Sequence, residues 1–177
     1  MEYTNDDHSA LTWQDATQMI HEGEAGFNIM GDWAEGYLKQ LDWTPGEEFG
    51  WMPVPGTEGS FVVVTDTFGL PKGAPNPENA KKWLKIIASK EGQDIFNPIK
   101  GSIPARLDAD KSKYDPYLTD TMDDFANDTL TPSIVHGSAA PEGFITAMND
   151  TINEFITTGN VDEAFEGFQA NHEEYVQ

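Results

Sequence analysis

The sequence predicts an α/β fold, and three stretches carry that prediction. Residues 26–33 couple an alternating run, Phe27-Asn28-Ile29-Met30, to a break at Gly31 and a helix start at Asp32. Residues 61–65, Phe-Val-Val-Val-Thr, form a near-continuous β-branched run, the pattern of a buried strand. The last third shows apolar residues at helical spacing. Strands and helices mix without clean βαβ alternation, which fits an α/β layer whose chain crosses between bodies.

Taken in order, residues 1–10 read as a loop, either disordered or a truncated start. Thr12-Trp13-Gln14-Asp15 opens a helix with a capping-box pattern in which Asp replaces Glu. Trp13, Ala16, Thr17 and Ile20 share a face, and Gly23 ends the helix. The run at Phe27–Met30 predicts a short strand. Asp32 is a suitable N-cap for a helix over 34–39 that Gly36 weakens. Residues 43–46 form a turn, 49–51 a short strand, and the Pro- and Gly-rich 53–59 a crossover loop. After the strand at 61–65, Asp66 interrupts and Phe68-Gly69-Leu70 resumes it. Asn76 caps and Pro77 begins a helix to about Ser89 that buries Ala80, Trp83, Leu84 and Ile87. A short helix spans 91–96, and 97–104 reads as an extended loop. A helix starts near Pro116, and Thr131-Pro132 breaks the chain beyond it. Residues 133–137 form a loop. Pro141 begins a long helix striped with Phe144, Met148, Ile152 and Phe155 and ended by Gly159. Asn160 caps a final helix using Val161, Ala164, Phe165 and Phe168.

Composition narrows the function. The chain has 177 residues, enough for a real core, and 38% hydrophobic content, too much for a disordered acidic tail. Its 31 acidic and 10 basic residues give a net charge of −21. That field repels nucleic acid and anionic lipid, so no nucleic-acid partner is expected. It suits a saline habitat, where the Debye length shrinks to about 3 Å at 1 M salt and self-repulsion is screened. Nine of the ten basic residues fall between Lys72 and Lys113, which suggests that the middle segment and the acidic tail pack on different bodies. No apolar run approaches the ~18 residues of a membrane helix. The first residues lack the basic and apolar regions of a signal peptide, which predicts either a cytoplasmic protein or a removed N-terminus. With no cysteine there is no disulfide or thiolate site.

The common enzyme motifs are absent: no nucleophile elbow, Walker loop, dinucleotide fingerprint or zinc-protease helix. The histidines at 8, 21, 136 and 172 have no ligand spacing, so no metal is expected, and no cofactor is implied. What remains is a set of polar and aromatic residues in unusual places. Trp33 at a strand-to-helix turn is either a core-sealing ring or a platform for a ligand face. Trp13 by itself reads as core. Asp66 within an apolar strand region is a turn residue or a hydrogen-bonding group, since burying it unpaired is costly. Lys100 between Ile99 and Gly101 is a solvated loop lysine or a donor. His136 in a Gly- and Ser-rich loop is a cap or a ligand contact.

Together these stretches resemble the C-terminal half of an ABC-transporter sugar-binding protein. This is the extracellular solute-binding, maltose-binding-protein-like type, and the similarity is nearest to glucose/mannose binders. The resemblance rests on Leu11-Thr12-Trp13, residues 25–33 (AGFNIMGDW), 43–51 (WTPGEEFGW), 66–73 (DTFGLPKG), 89–106 (SKEGQDIFNPIKGSIPAR), and His136-Gly137 followed by Ala140-Pro141-Glu142. It covers nearly everything after residue 10, though the acidic tail helices match in pattern alone.

The resemblance implies the C-terminal portion of a two-lobed periplasmic-binding-protein-like fold that closes on a monosaccharide. It implies 11–59 in the C-terminal lobe, 60–97 crossing to the N-terminal lobe, and a mainly helical return over 98–177. It also implies an incomplete chain that lacks part of its packing partner. Carried over residue by residue, it puts Trp13 and Trp33 on the sugar's faces, with Asp66, Lys100 and His136 as polar contacts. The chemistry suits them: aromatic planes match the C–H faces of a pyranose, and hydrogen bonds to charged groups contribute about 1.5–3 kcal/mol each. The implied partners are a monosaccharide and the membrane permease subunits of an importer. The implied state is a monomer, extracellular or anchored on the outer face. A glycoside hydrolase using the same tryptophans and acids is the alternative, and a structural acidic module is a third reading.

Overall fold

The computed structural model describes residues 4–8 and 10–176. Seven α-helices and two strands are found among them: α1 Trp13–His21, α2 Trp33–Gln40, β1 Ser60–Val63, α3 Pro77–Ile87, α4 Lys90–Lys100, α5 Pro116–Asn127, β2 Thr129–Pro132, α6 Glu142–Thr158 and α7 Val161–Tyr175. A single 3₁₀ turn, Lys111–Lys113, precedes α5. Helices joined by a small sheet agree with the α/β class. No described helix is long and apolar enough to cross a membrane.

Helix starts follow the local chemistry. Thr12 accepts from the Asp15 N–H while Asp15 accepts from the Thr12 N–H, a reciprocal box at the head of α1. Ser89, Asp115 and Asn160 cap α4, α5 and α7 by the same side-chain bond. Asp32 and Asn76 stand at the N-cap positions of α2 and α3 but make no capping bond. Gly159 ends α6 with a left-handed conformation.

The strands depart from expectation. Phe27–Met30 is irregular, with Phe27 91% and Ile29 77% exposed. An extended segment becomes a strand when a neighbour takes up its hydrogen bonds, and no described segment pairs with this one. The run at 61–65 forms a strand over Ser60–Val63, but half-exposed rather than buried, because it has one neighbour, β2. Thr129 N–H donates to the Gly59 carbonyl and the Thr131 hydroxyl to the Phe61 carbonyl, so the strands advance in the same direction. The β2 strand lies where a chain break was expected. Residues 49–51 contribute an isolated bridge between Pro45 and Phe49 rather than a strand.

The expected loop at 97–104 is also corrected: α4 continues through Pro98 to Lys100. Proline lacks an N–H, so α4 forgoes the one bond to the Asp94 carbonyl, and the turn beyond Pro98 closes on Asn97. Its carbonyl accepts from the Gly101 and Ser102 N–H groups, and its side chain accepts from the Ser102 hydroxyl. Trp83, expected in the core, is 49% exposed and meets Phe68 edge-on.

The chain forms two compact units, one of residues 5–59 and 67–129 and the other built on Ser60–Asp66 and residues 130–176. In the first, α2 packs on α1 and α4, α3 packs on α4, and Leu38, Tyr114 and Leu118 are buried. Buried Asp94 accepts from Lys90 and from the Asp110 N–H, tying the chain before the 3₁₀ turn to α4. In the second, α6 packs along α7 with Phe144 and Ala164 buried, and Asn171 donates to Thr151 between the two helices.

Candidate functional site

In the first unit Trp13 and Trp33 are the opening residues of α1 and α2, and both are half-buried. Tyr37, one turn beyond Trp33, meets Trp13 edge-on at 5.9 Å and donates to Gln18. Buried Thr17 donates to the Trp13 carbonyl and accepts from Asn28, which fastens the segment before Gly31 to α1. The Trp33 ring folds back over Gly31, so closely that a Cβ there would come within 2.3 Å of it. Gly31 is therefore what lets the ring take this position.

Lys100, half-buried, ends α4. A Cβ at Gly36 would stand 2.3 Å from the Lys100 carbonyl oxygen, and one at Gly101 would stand 2.5 Å from the Gly36 nitrogen. The two helices thus cross backbone to backbone at paired glycines. Gly36, which weakens α2 locally, is what permits this approach.

Beneath the crossing lies a charged junction. Lys39 donates to the Pro98 carbonyl at 2.8 Å and to Asp115 at 2.7 Å, and its ammonium is 3.0 Å from Glu35 Oε1 without a directed bond to it. Burial and the adjacent Asp115 push the Glu35 carboxyl up to about 8, with Lys39 opposing. Burial also pushes Asp115 upward, but the adjacent Glu35 carboxyl and the bonds from the Leu118 N–H and Lys39 outweigh that and hold it below the ordinary range. Burial, then the Asp32 and Glu35 charges, raise the Tyr117 phenol. No motif in the sequence marks this junction. Its trace in the sequence is Glu35 four residues before Lys39 on one helix face.

In the second unit Asp66 is exposed in the segment after β1. His136 shares a hydrogen bond between Nδ1 and buried Ser133 at 2.8 Å. It lines a concavity of about 350 Å³ with Val63, Val64, Thr65, Thr131 and Ser138. The structure therefore assigns Trp13, Trp33 and Lys100 to α1, α2 and α4 of one unit, with α2 packed on both of the others. Asp66 and His136 belong to the β1 end of the other. No group of three or more His, Asp or Glu that could hold a metal occurs among the described residues.

An uncharacterized ABC transporter extracellular-binding protein of Pyrococcus horikoshii is 45% identical over 166 residues, 93% of this chain and 37% of that protein. A probable sugar-binding periplasmic protein of Rhizobium meliloti is 34% identical over 168 residues, 92% of the chain and 41% of its own length. The xylose/arabinose-binding protein XacG of Haloferax volcanii is 33% identical over 139 residues, 77% of the chain and 30% of its own length. The chain thus spans about two fifths or less of these relatives. The bacterial extracellular solute-binding proteins, a family of binding proteins rather than enzymes, match residues 1–94, and the chain belongs to that family.

Proposed function

We propose that this chain is the C-terminal part of a longer, two-lobed protein that binds a monosaccharide of the glucose/mannose kind outside the cell. It would deliver that sugar to the permease subunits of an ABC importer. The observation that carries the reading is the edge-on contact of Trp13 with Tyr37 across packed α1 and α2, with Trp33 opening α2 one turn before Tyr37. Half-buried aromatic faces suit the C–H faces of a sugar ring. Trp13, Trp33 and Lys100 in one unit, and Asp66 and His136 in the other, are each proposed as sugar contacts. Relatives described as sugar-binding and as xylose/arabinose-binding support the ligand class. We also propose that residues 11–59 and 98–177 belong to the C-terminal lobe of that protein and that the chain crosses to the other lobe within 60–97.

The test uses the full-length protein, with calorimetry against glucose, mannose and xylose. Trp33→Ala should weaken binding by more than tenfold, about 2 kcal/mol, with a small change in melting temperature. Asp66→Asn, which keeps shape and removes charge, should weaken binding without early melting. A Trp33→Ala protein that melts early, alongside Asp66→Asn binding normally, would refute the assignment.

A further inference from the structure

The proposed sugar contacts do not use Glu35, the most deeply buried acid among the described residues. Glu35 is 3% exposed, two residues after Trp33. One ammonium, Lys39, serves both Glu35 and Asp115 and also bonds the Pro98 carbonyl. Two carboxylates against one cation would leave an excess negative charge away from water, a costly state. A single proton removes it and lets the Glu35 carboxyl donate to Asp115. The position leaves no slack, because a Cβ at Gly101 would lie 2.6 Å from Glu35 Oε2. The acid thus fills the space beside the residue following Lys100.

We propose that Glu35 is a positioning residue: as a neutral carboxyl bonded to Asp115, it fixes the first turns of α2 against the end of α4 and so sets Trp33 relative to Lys100. This inference rests on the sugar-binding reading. The groups acting on the junction are Lys39 on the same helix and Asp115 and Tyr117 on α5, with Asp32 at the head of α2 acting on Tyr117. The upward shift of Glu35 to about 8 agrees. Its sign is definite. The ordinary value is 4.5, so the contribution is complete below that pH and is lost as pH rises through about 8. Asp115 is held below its ordinary 3.8 and is lost in acid, outside this window.

The experiment compares wild type, Glu35→Gln and Glu35→Ala in the full-length protein from pH 6 to 9.5. Glucose, mannose and xylose affinity and the melting midpoint are both read. Gln keeps the shape and offers an N–H donor to Asp115. Wild-type affinity should be level to about pH 7 and about tenfold weaker by pH 9, as the neutral fraction falls to roughly one in ten. Glu35→Gln should stay level throughout, and Glu35→Ala should be weak at every pH. A Glu35→Gln profile that repeats the wild-type decline overturns the proposal. If no variant binds sugar at any pH, the sugar reading fails and the melts decide. A wild-type midpoint that falls from pH 6 to about 8 and then levels, while Glu35→Gln stays flat, upholds the buried proton, and equal slopes overturn it.

Discussion

The two units differ in how much of their structure they hold by themselves. The unit of residues 5–59 and 67–129 buries Leu38, Tyr114 and Leu118 and encloses the Glu35–Lys39–Asp115 junction. The unit built on residues 60–66 and 130–176 rests on one helix pair and one strand pair, with Phe144 and Ala164 buried and Val62, Leu130 and Phe165 exposed. A helix satisfies its backbone within itself, so it persists wherever its sequence is present. A strand or an apolar helix face needs a neighbour. We propose that the exposed apolar surfaces of the second unit, like Phe27 and Ile29 in the first, meet their neighbours in the longer protein.

The largest expected effect tests that contrast directly. Leu118 has no exposure, so Leu118→Ala should cost about 2–5 kcal/mol in denaturant unfolding of this chain. Phe165 is 61% exposed, so Phe165→Ala should change stability by less than about 0.5 kcal/mol. A similar cost for both would mean that α7 carries a core of its own, and the contrast would collapse.

What the sequence disclosed follows the same division. Helix starts at Thr12, Pro77, Pro116 and Asn160 were legible because caps and prolines act within a few residues. The strand at 27–30 and the burial of Val62 and Trp83 were misread because alternation and apolarity report what a segment wants, not whether a partner is there. The loop reading of 97–104 failed over its first four residues, where α4 runs on to Lys100. The Ser102 and Gly101 bonds to Asn97 that close the turn beyond Pro98 depend on a turn geometry no pattern displays. The contact of Trp13 with Tyr37 was half legible: the tryptophan stood out, but Tyr37 did not, since its role depends on how α1 meets α2.

Charge gives an intermediate effect and a second contrast. The unit of residues 60–66 and 130–176 has no lysine or arginine, whereas every such residue of the chain lies in the other unit. On α6 and α7 the like-charge neighbours Asp150 and Glu154, Asp162 and Glu166, and Glu163 and Glu166 face each other at helical spacing. At roughly 0.2–0.5 kcal/mol per pair, removing salt should cost this unit roughly 0.6–1.5 kcal/mol. Hydrogen exchange in molar salt and at tens of millimolar should show protection falling first in α6 and α7. Equal loss in both units, or none, would remove the argument for a saline environment.

The smallest effect sharpens the comparison most. Thr12 caps α1 in the well-buried unit and Asn160 caps α7 in the exposed one, each through a side-chain bond to the third helical N–H. Each also has a reciprocal acid, with Asp15 accepting from the Thr12 N–H and Glu163 accepting from the Asn160 side chain. A cap acts on the orphan donors of one helical turn and does not depend on what lies across the molecule. Thr12→Ala and Asn160→Ala should therefore cost nearly the same, about 0.5–1 kcal/mol, since both sites face solvent. Amide exchange in the first turns of α1 and α7 reads the two costs separately. Equal costs would mean that α7 is a full helix in the chain as it stands and that only its apolar face lacks a neighbour. A silent Asn160→Ala beside a costly Thr12→Ala would mean that α7 depends on that missing neighbour for its helical state as well, and the claim that helices persist by themselves would not hold for this half of the molecule.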